Sequence, residues 1–238
     1  MGGWLKDLPT GGLRAALATE YVKHLADQDM DKALAFARSE KGLGVRTGLM
    51  AALGERLAFH DPARSLALLR ETITERQTAN AEDNGLNRHM AGGNAVNEWR
   101  EHLMGTHPEQ IVDMAVELSD DANHQDALSA MSDWMNRDEA AYAEWLINQQ
   151  PGEIRDHGAQ ALVNQLMGHN SSNYGTPPDF ESALGWAAAI NAETRMNQAL
   201  RDVVRAWITR DPFGAETYFK NAPANAAGRL LFEKYQKP

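Results

Sequence analysis

The 238-residue sequence predicts an all-α fold of about six imperfect antiparallel helical hairpins, and three observations carry the prediction. Apolar residues recur at helical spacing through most of the chain. One type of helix–helix junction returns six times, and no stretch shows the Val/Ile/Thr alternation of a strand. The junction is plainest at Asp211. Leu200, Val203, Val204, Trp207 and Ile208 fall at i, i+3, i+4, i+7 and i+8, the apolar stripe of an amphipathic helix that stops at Arg210. Asp211 can accept from the free N–H groups of a new helix, and Pro212, lacking an N–H, suits that helix's first position. The second helix turns Tyr218 and Phe219 toward the first and ends at Asn221-Ala222-Pro223, where proline discourages further helix.

In chain order the junctions are Asp29, Asp61, His107, Asp138, Asp179 and Asp211, with proline next at 62, 108 and 212. Four residues earlier stand Leu25, Leu57, Leu103, Trp134, Gly175 and Trp207, of which only Gly175 fails as an apolar contact. Seven residues later stand Phe36, Leu68, Met114, Trp145, Trp186 and Tyr218. Four later come Ala33, Ser65, Ile111, Tyr142, Ala183 and Ala215, mostly small residues that let two helices approach closely. Trp134 and Trp207 share one repeat position and Trp4, Trp145 and Trp186 another, so they read as core. Trp99 lies outside both sets but forms a stripe with Val96 and Leu103.

Successive junctions are 32, 46, 31, 41 and 32 residues apart. This spacing resembles the α-solenoid class of helix-turn-helix repeats, tetratricopeptide-like in repeat size. The tetratricopeptide pattern of Trp, Leu-Gly, Tyr, Ala, Phe and Pro at set offsets is not reproduced, so no specific family is assigned. Residues 1–238 read as one repeat domain with irregular insertions near 76–94 and 168–178. The first, RQTANAEDNGLNRHMAGGN, is rich in Asn and Gly, falls between hairpins and is expected to form a mobile or irregular loop. The second, GHNSSNYGTPP, falls inside a hairpin. Both read more simply as tolerated insertions than as functional loops.

Trp4-Leu5, Pro9 and Arg14 parallel Trp145-Leu146, Pro151 and Arg155, and more loosely Tyr218-Phe219, Pro223 and Arg229. Trp4 therefore reads as the tail of a second helix, and 224–235 as a first helix without its partner. Open ends of this kind suit a segment of a longer repeat protein, or a chain that associates end to end.

Hydrophobic residues at 43% and charged residues at 24% describe an ordinary globular chain. The absence of cysteine excludes disulfides, thiolate metal sites and cysteine nucleophiles. No apolar run approaches the roughly 20 residues of a membrane span. The opening MGGWLKDLPTGG lacks the basic and apolar regions of a secretory signal, so the cytoplasm is favoured and no membrane partner is expected. The net charge of −10 is concentrated in residues 61–180, where 7 Lys/Arg face 20 Asp/Glu. That argues against nucleic acid and suits either a solvated acidic surface or the recognition of a basic partner.

Glu98 and His102 are four apart on a helix with His107 nearby, a spacing that suits metal ligation. No HExxH pattern accompanies them, however, and His107 stands at a junction where its expected role is a cap. Asp120-Asp121 and Asp138-Glu139 lie at helix ends, where acidic residues at a helix start complement its dipole. No nucleophile elbow, phosphate-binding loop or dinucleotide fingerprint occurs, so neither catalysis nor a cofactor is expected.

Away from the apolar stripes, Glu98 and Glu101 lie opposite Trp99 and Leu103, Asp126 and Asp133 opposite Met131 and Trp134, and Asp156, Gln160 and Asn164 form a further polar row. In tetratricopeptide-like solenoids the first helix of each hairpin lines the concave, peptide-binding face. The resemblance therefore implies that these seven residues bind a basic peptide or protein, and the alternative for them is a solvated helix face. The expected function is a protein–protein interaction scaffold or recognition segment, with a regulatory or substrate-docking module of a larger enzyme as the alternative.

Overall fold

The computed structural model describes residues 12–82, 93–119, 125–168, 177–223 and 225–235. Among these residues there are thirteen helices and no strand. The chain divides into two compact units, residues 1–118 and 119–238. The first holds α1 (Gly12–Gln28), α2 (Met30–Ser39), α3 (Leu43–His60), α4 (Pro62–Glu82), α5 (Gly93–Thr106) and α6 (Pro108–Glu117). The second holds α7 (Gln125–Arg137), α8 (Glu139–Asn148), α9 (Glu153–Leu166), α10 (Phe180–Ala188), α11 (Glu193–Arg210), α12 (Pro212–Asn221) and α13 (Arg229–Tyr235). Odd-numbered helices are the first helices of hairpins and even-numbered ones the second.

Five of the six junctions are made the same way. The N–H of Asp29, Asp61, His107, Asp138 and Asp211 donates to the carbonyl four residues back, at Leu25, Leu57, Leu103, Trp134 and Trp207. The junction carbonyl then accepts from the residue four ahead, namely Ala33, Ser65, Ile111, Tyr142, Ala183 or Ala215. All six of these residues are buried, as close helix approach requires. At the fifth junction Asp179 N–H donates to Leu166 across 2.9 Å, so Leu166 takes the place that counting gave to Gly175. The intervening insertion leaves the junction geometry intact.

The carboxylates of Asp29, Asp61, Asp138, Asp179 and Asp211 each accept from the N–H three residues on, at 2.9–3.1 Å. His107 is the exception to its expected role. Its ring makes no capping hydrogen bond; Nδ1 lies 2.9 Å from the Thr106 hydroxyl, and only its backbone serves the junction.

Within each unit the principal packing joins helices one or two apart in sequence. First helices touch first helices, α1 with α3, α3 with α5, α7 with α9, α9 with α11 and α11 with α13. Second helices sit against the first helices beside them. The arginines that run parallel in sequence do equivalent work: Arg14 pairs with Glu40 at 2.8 Å, Arg155 donates to the Ala189 carbonyl at 3.0 Å, and Arg229 donates to that of Ala222. Each partner is the residue that ends a second helix; Arg155 and Arg229 satisfy its carbonyl, which lacks a helical partner, whereas Arg14 binds the Glu40 carboxylate and Arg46 takes the Glu40 carbonyl.

Cross-helix ion pairs repeat as well in the first unit. Arg38 binds Glu71 through two hydrogen bonds, of 2.8 and 2.6 Å, and Arg70 pairs with Glu117. In both cases an arginine nine past one junction meets a glutamate ten past the next. The Arg38 hydrogen bonds hold Glu71 below the usual carboxylate range.

The core of the first unit closes on Trp99. Its indole N–H donates to Ser65 Oγ at 2.9 Å, and that hydroxyl donates to the Gly54 carbonyl at 2.7 Å, so one chain of bonds ties α5, α4 and α3. In the second unit Trp134, Tyr142 and Trp145 form one aromatic group, and Trp207 with Phe180, Tyr218 and Phe219 another. Phe232 of α13 stacks on Phe219 at 4.6 Å.

Two expected boundaries move. The first insertion starts later than 76, because α4 stays helical to Glu82; residues 83–92 and 169–176 of the two insertions lie outside the described residues, as does Trp4. The last helix starts at Arg229, not at 224, because Gly228 has φ +77, a left-handed conformation that ends rather than continues a helix.

Candidate functional site

The seven residues of the sequence prediction lie on three first helices in two units. Glu98 and Glu101 are on α5 of the first unit. Asp126 and Asp133 are on α7, and Asp156, Gln160 and Asn164 on α9, of the second. Glu98, Asp126 and Asn164 are exposed, Glu101, Asp133 and Gln160 half-buried. Arg100 lies 3.7 Å from the Glu101 carboxylate, and Gln160 Nε2 donates to Asn164 Oδ1 at 3.2 Å.

Asp156 departs from the expected surface row. It is only 2% exposed, and its carboxylate accepts from Asn191 N–H at 2.9 Å, Asn191 Nδ2 at 3.0 Å and Ala192 N–H at 2.8 Å. These donors stand at the start of α11, whose N-cap residue Ala192 has no side-chain acceptor of its own. Burial alone would raise the Asp156 pKa, but these hydrogen bonds and the charge of Arg195 outweigh it, leaving the pKa below its ordinary value. Asp156 is thus the cap of the following hairpin.

The polar stripe that α9 does present is Glu153, His157, Gln160 and Asn164, at i, i+4, i+7 and i+11. It meets the stripe of α11 where His157 Nε2 lies 3.1 Å from Arg195, and Glu153 stands 3.6 Å from His157 and 3.9 Å from Arg195. Further along α11, Gln198 donates to both Asp202 carboxylate oxygens at 2.9 Å, and Arg201 donates to Gln198 at 2.7 Å. The first-helix surface of this unit therefore changes along the row, acidic on α7, amide-bearing on α9 and mixed in charge on α11. The α11 contribution was missed in sequence, although 198, 201 and 202 carry the three- and four-residue spacings that would have placed them together.

Glu98, His102 and His107 do not form a metal site: no group of three or more His, Asp or Glu among the described residues could hold a metal ion. His102 instead packs its ring 4.4 Å from that of Phe59 on α3. No described helix is long and apolar enough to cross a membrane. The sequence matches no protein-family model, no curated protein and no solved structure.

Proposed function

We propose that this chain is a non-catalytic interaction protein, a scaffold or recognition segment whose helical hairpins form an α-solenoid-like stack in each unit and bind a basic peptide or protein on the acidic faces of their first helices. The observation that carries the reading is the packing order. Within each unit first helices pack against first helices, and the exposed Glu98 stands on α5, Asp126 on α7 and Asn164 on α9, which supports a polar face made by first helices. Five junctions made with one backbone hydrogen-bond pattern, and a sixth at Asp179 that reaches back to Leu166 across an insertion, support the repeat character.

An excess of carboxylates on such faces favours a partner rich in lysine and arginine, held by charge that salt screens. Basic proteins from a lysate of the source cells, identified by mass spectrometry, are expected to be held at low salt and released at high salt. Reversing two exposed charges together, Glu98→Lys with Asp126→Lys, is expected to weaken their capture about tenfold, from roughly 0.7 kcal/mol per exposed pair. Capture unchanged by the double reversal, or indifferent to salt, would contradict the reading.

A further inference from the structure

We propose that the α3–α5 face of the first unit is a docking site for an arginine side chain on a basic partner segment, with Phe59 and His102 as its aromatic wall and Glu55 and Glu98 as its carboxylates. The inference rests on the acidic-face reading above and gives it a location and a preferred side chain.

Along α3, the half-buried Val45, Gly48 and Ala52 and the exposed Glu55 and Phe59 fall on one face at helical spacing. A Cβ on Gly48 would meet nothing within 4 Å, and Ala52 adds only a methyl, so the face is low until it rises at Phe59. Phe59 is 66% exposed, and its ring is held from one side by His102 at a 50° tilt. The ring is thus fixed without being covered.

Helices α3 and α5 run parallel, since Gly54 meets Trp99 and, further along both, Phe59 meets His102. One turn before each ring stands an exposed glutamate, Glu55 before Phe59 and Glu98 before His102. Elsewhere in this unit the cross-helix carboxylates have arginine partners: Asp27 with Arg56, Asp31 with Arg64, Glu71 with Arg38, Glu75 with Arg46 and Glu117 with Arg70. Glu55 and Glu98 make no ion pair among the described residues. Two carboxylates without a cation beside an exposed ring are complementary to a guanidinium, which is flat enough to stack on the ring and can hydrogen-bond carboxylates through its fork of N–H groups. A lysine ammonium would gain the charge but not the stacking.

The test uses the full chain and two fluorescent peptides, one alternating arginine with glycine and the other lysine with glycine, followed by anisotropy at low salt. The arginine peptide is expected to bind more tightly. Phe59→Leu, which changes an exposed side chain and spares the core, is expected to weaken the arginine peptide about fivefold and bring it close to the lysine peptide. Glu55→Gln with Glu98→Gln is expected to weaken both. Equal affinity for the two peptides, or an arginine preference that survives Phe59→Leu, overturns the site. If Asp126→Lys weakens binding while Phe59→Leu does not, the arginine site falls and the acidic-face reading stands; if neither peptide binds the native chain, both fall.

Discussion

Gly54→Ala is expected to destabilise the first unit by about 3 kcal/mol, although alanine is the better helix former and Gly54 lies well inside α3. A Cβ at this position would stand 2.0 Å from Trp99 Cζ2 and 2.2 Å from Cε2, so the indole must move. It cannot slide freely, because it is fully buried and its N–H is bound to Ser65, which is bound in turn to the Gly54 carbonyl. Moving the ring breaks that chain and leaves buried polar atoms without partners, a larger loss than the roughly 1 kcal/mol gained in helix propensity. Gly48→Ala on the same helix meets nothing within 4 Å and is expected to stabilise by about 1 kcal/mol. Thermal unfolding of the two variants separates the explanations: a loss only at Gly54 supports the Trp99 contact, and equal stability of both variants contradicts it. Combining Gly54→Ala with Trp99→Leu is expected to cost less than the two single changes added together, since both act on one contact.

Asp156→Ala is expected to cost the second unit about 3 kcal/mol, the loss of three hydrogen bonds to a buried carboxylate whose donors at Asn191 and Ala192 can reach water only in part. Asp156→Asn is expected to cost less, because the amide oxygen still accepts. Folding lowers the Asp156 pKa from its ordinary 3.8, so the charged side chain stabilises the fold above that value. The contribution is lost as the pH falls below 3.8 through the lowered folded value. Acid unfolding of Asp156→Asn should therefore begin from lower stability and lack that part of the decline below about pH 4, and an unchanged acid profile would contradict the assignment.

What the sequence made legible was local. Helix type followed from the apolar period, and the junctions followed from aspartate and proline at fixed distances from an apolar residue, interactions that span a few residues. Where chain distance and spatial distance part, the reading failed in physical ways. Gly175 looked like a broken junction because counting cannot step across an insertion, whereas Asp179 reaches back to Leu166. His107 occupies a capping position, but its ring is turned to Thr106. Asp156, Gln160 and Asn164 repeat every four residues and so read as one row, yet that spacing drifts round a helix of 3.6 residues per turn and carries Asp156 toward the loop before α11. A useful signal was present at Ala192: an alanine in the N-cap position needs its acceptor from elsewhere in the fold. Trp99 was legible as core through Val96 and Leu103, but the small residue that makes room for it, Gly54, lies 45 positions away and on another helix.

The proposal that the first helices bind a basic partner is tested most directly by carboxyl footprinting, in which carbodiimide labelling of the full chain is compared by mass spectrometry with and without the arginine peptide. Labelling is expected to fall at Glu55, Glu98 and Asp126 and to stay unchanged at Glu144 and Glu181, exposed carboxylates on the second helices α8 and α10. Equal protection of both groups, or protection confined to Glu144 and Glu181, would contradict the account.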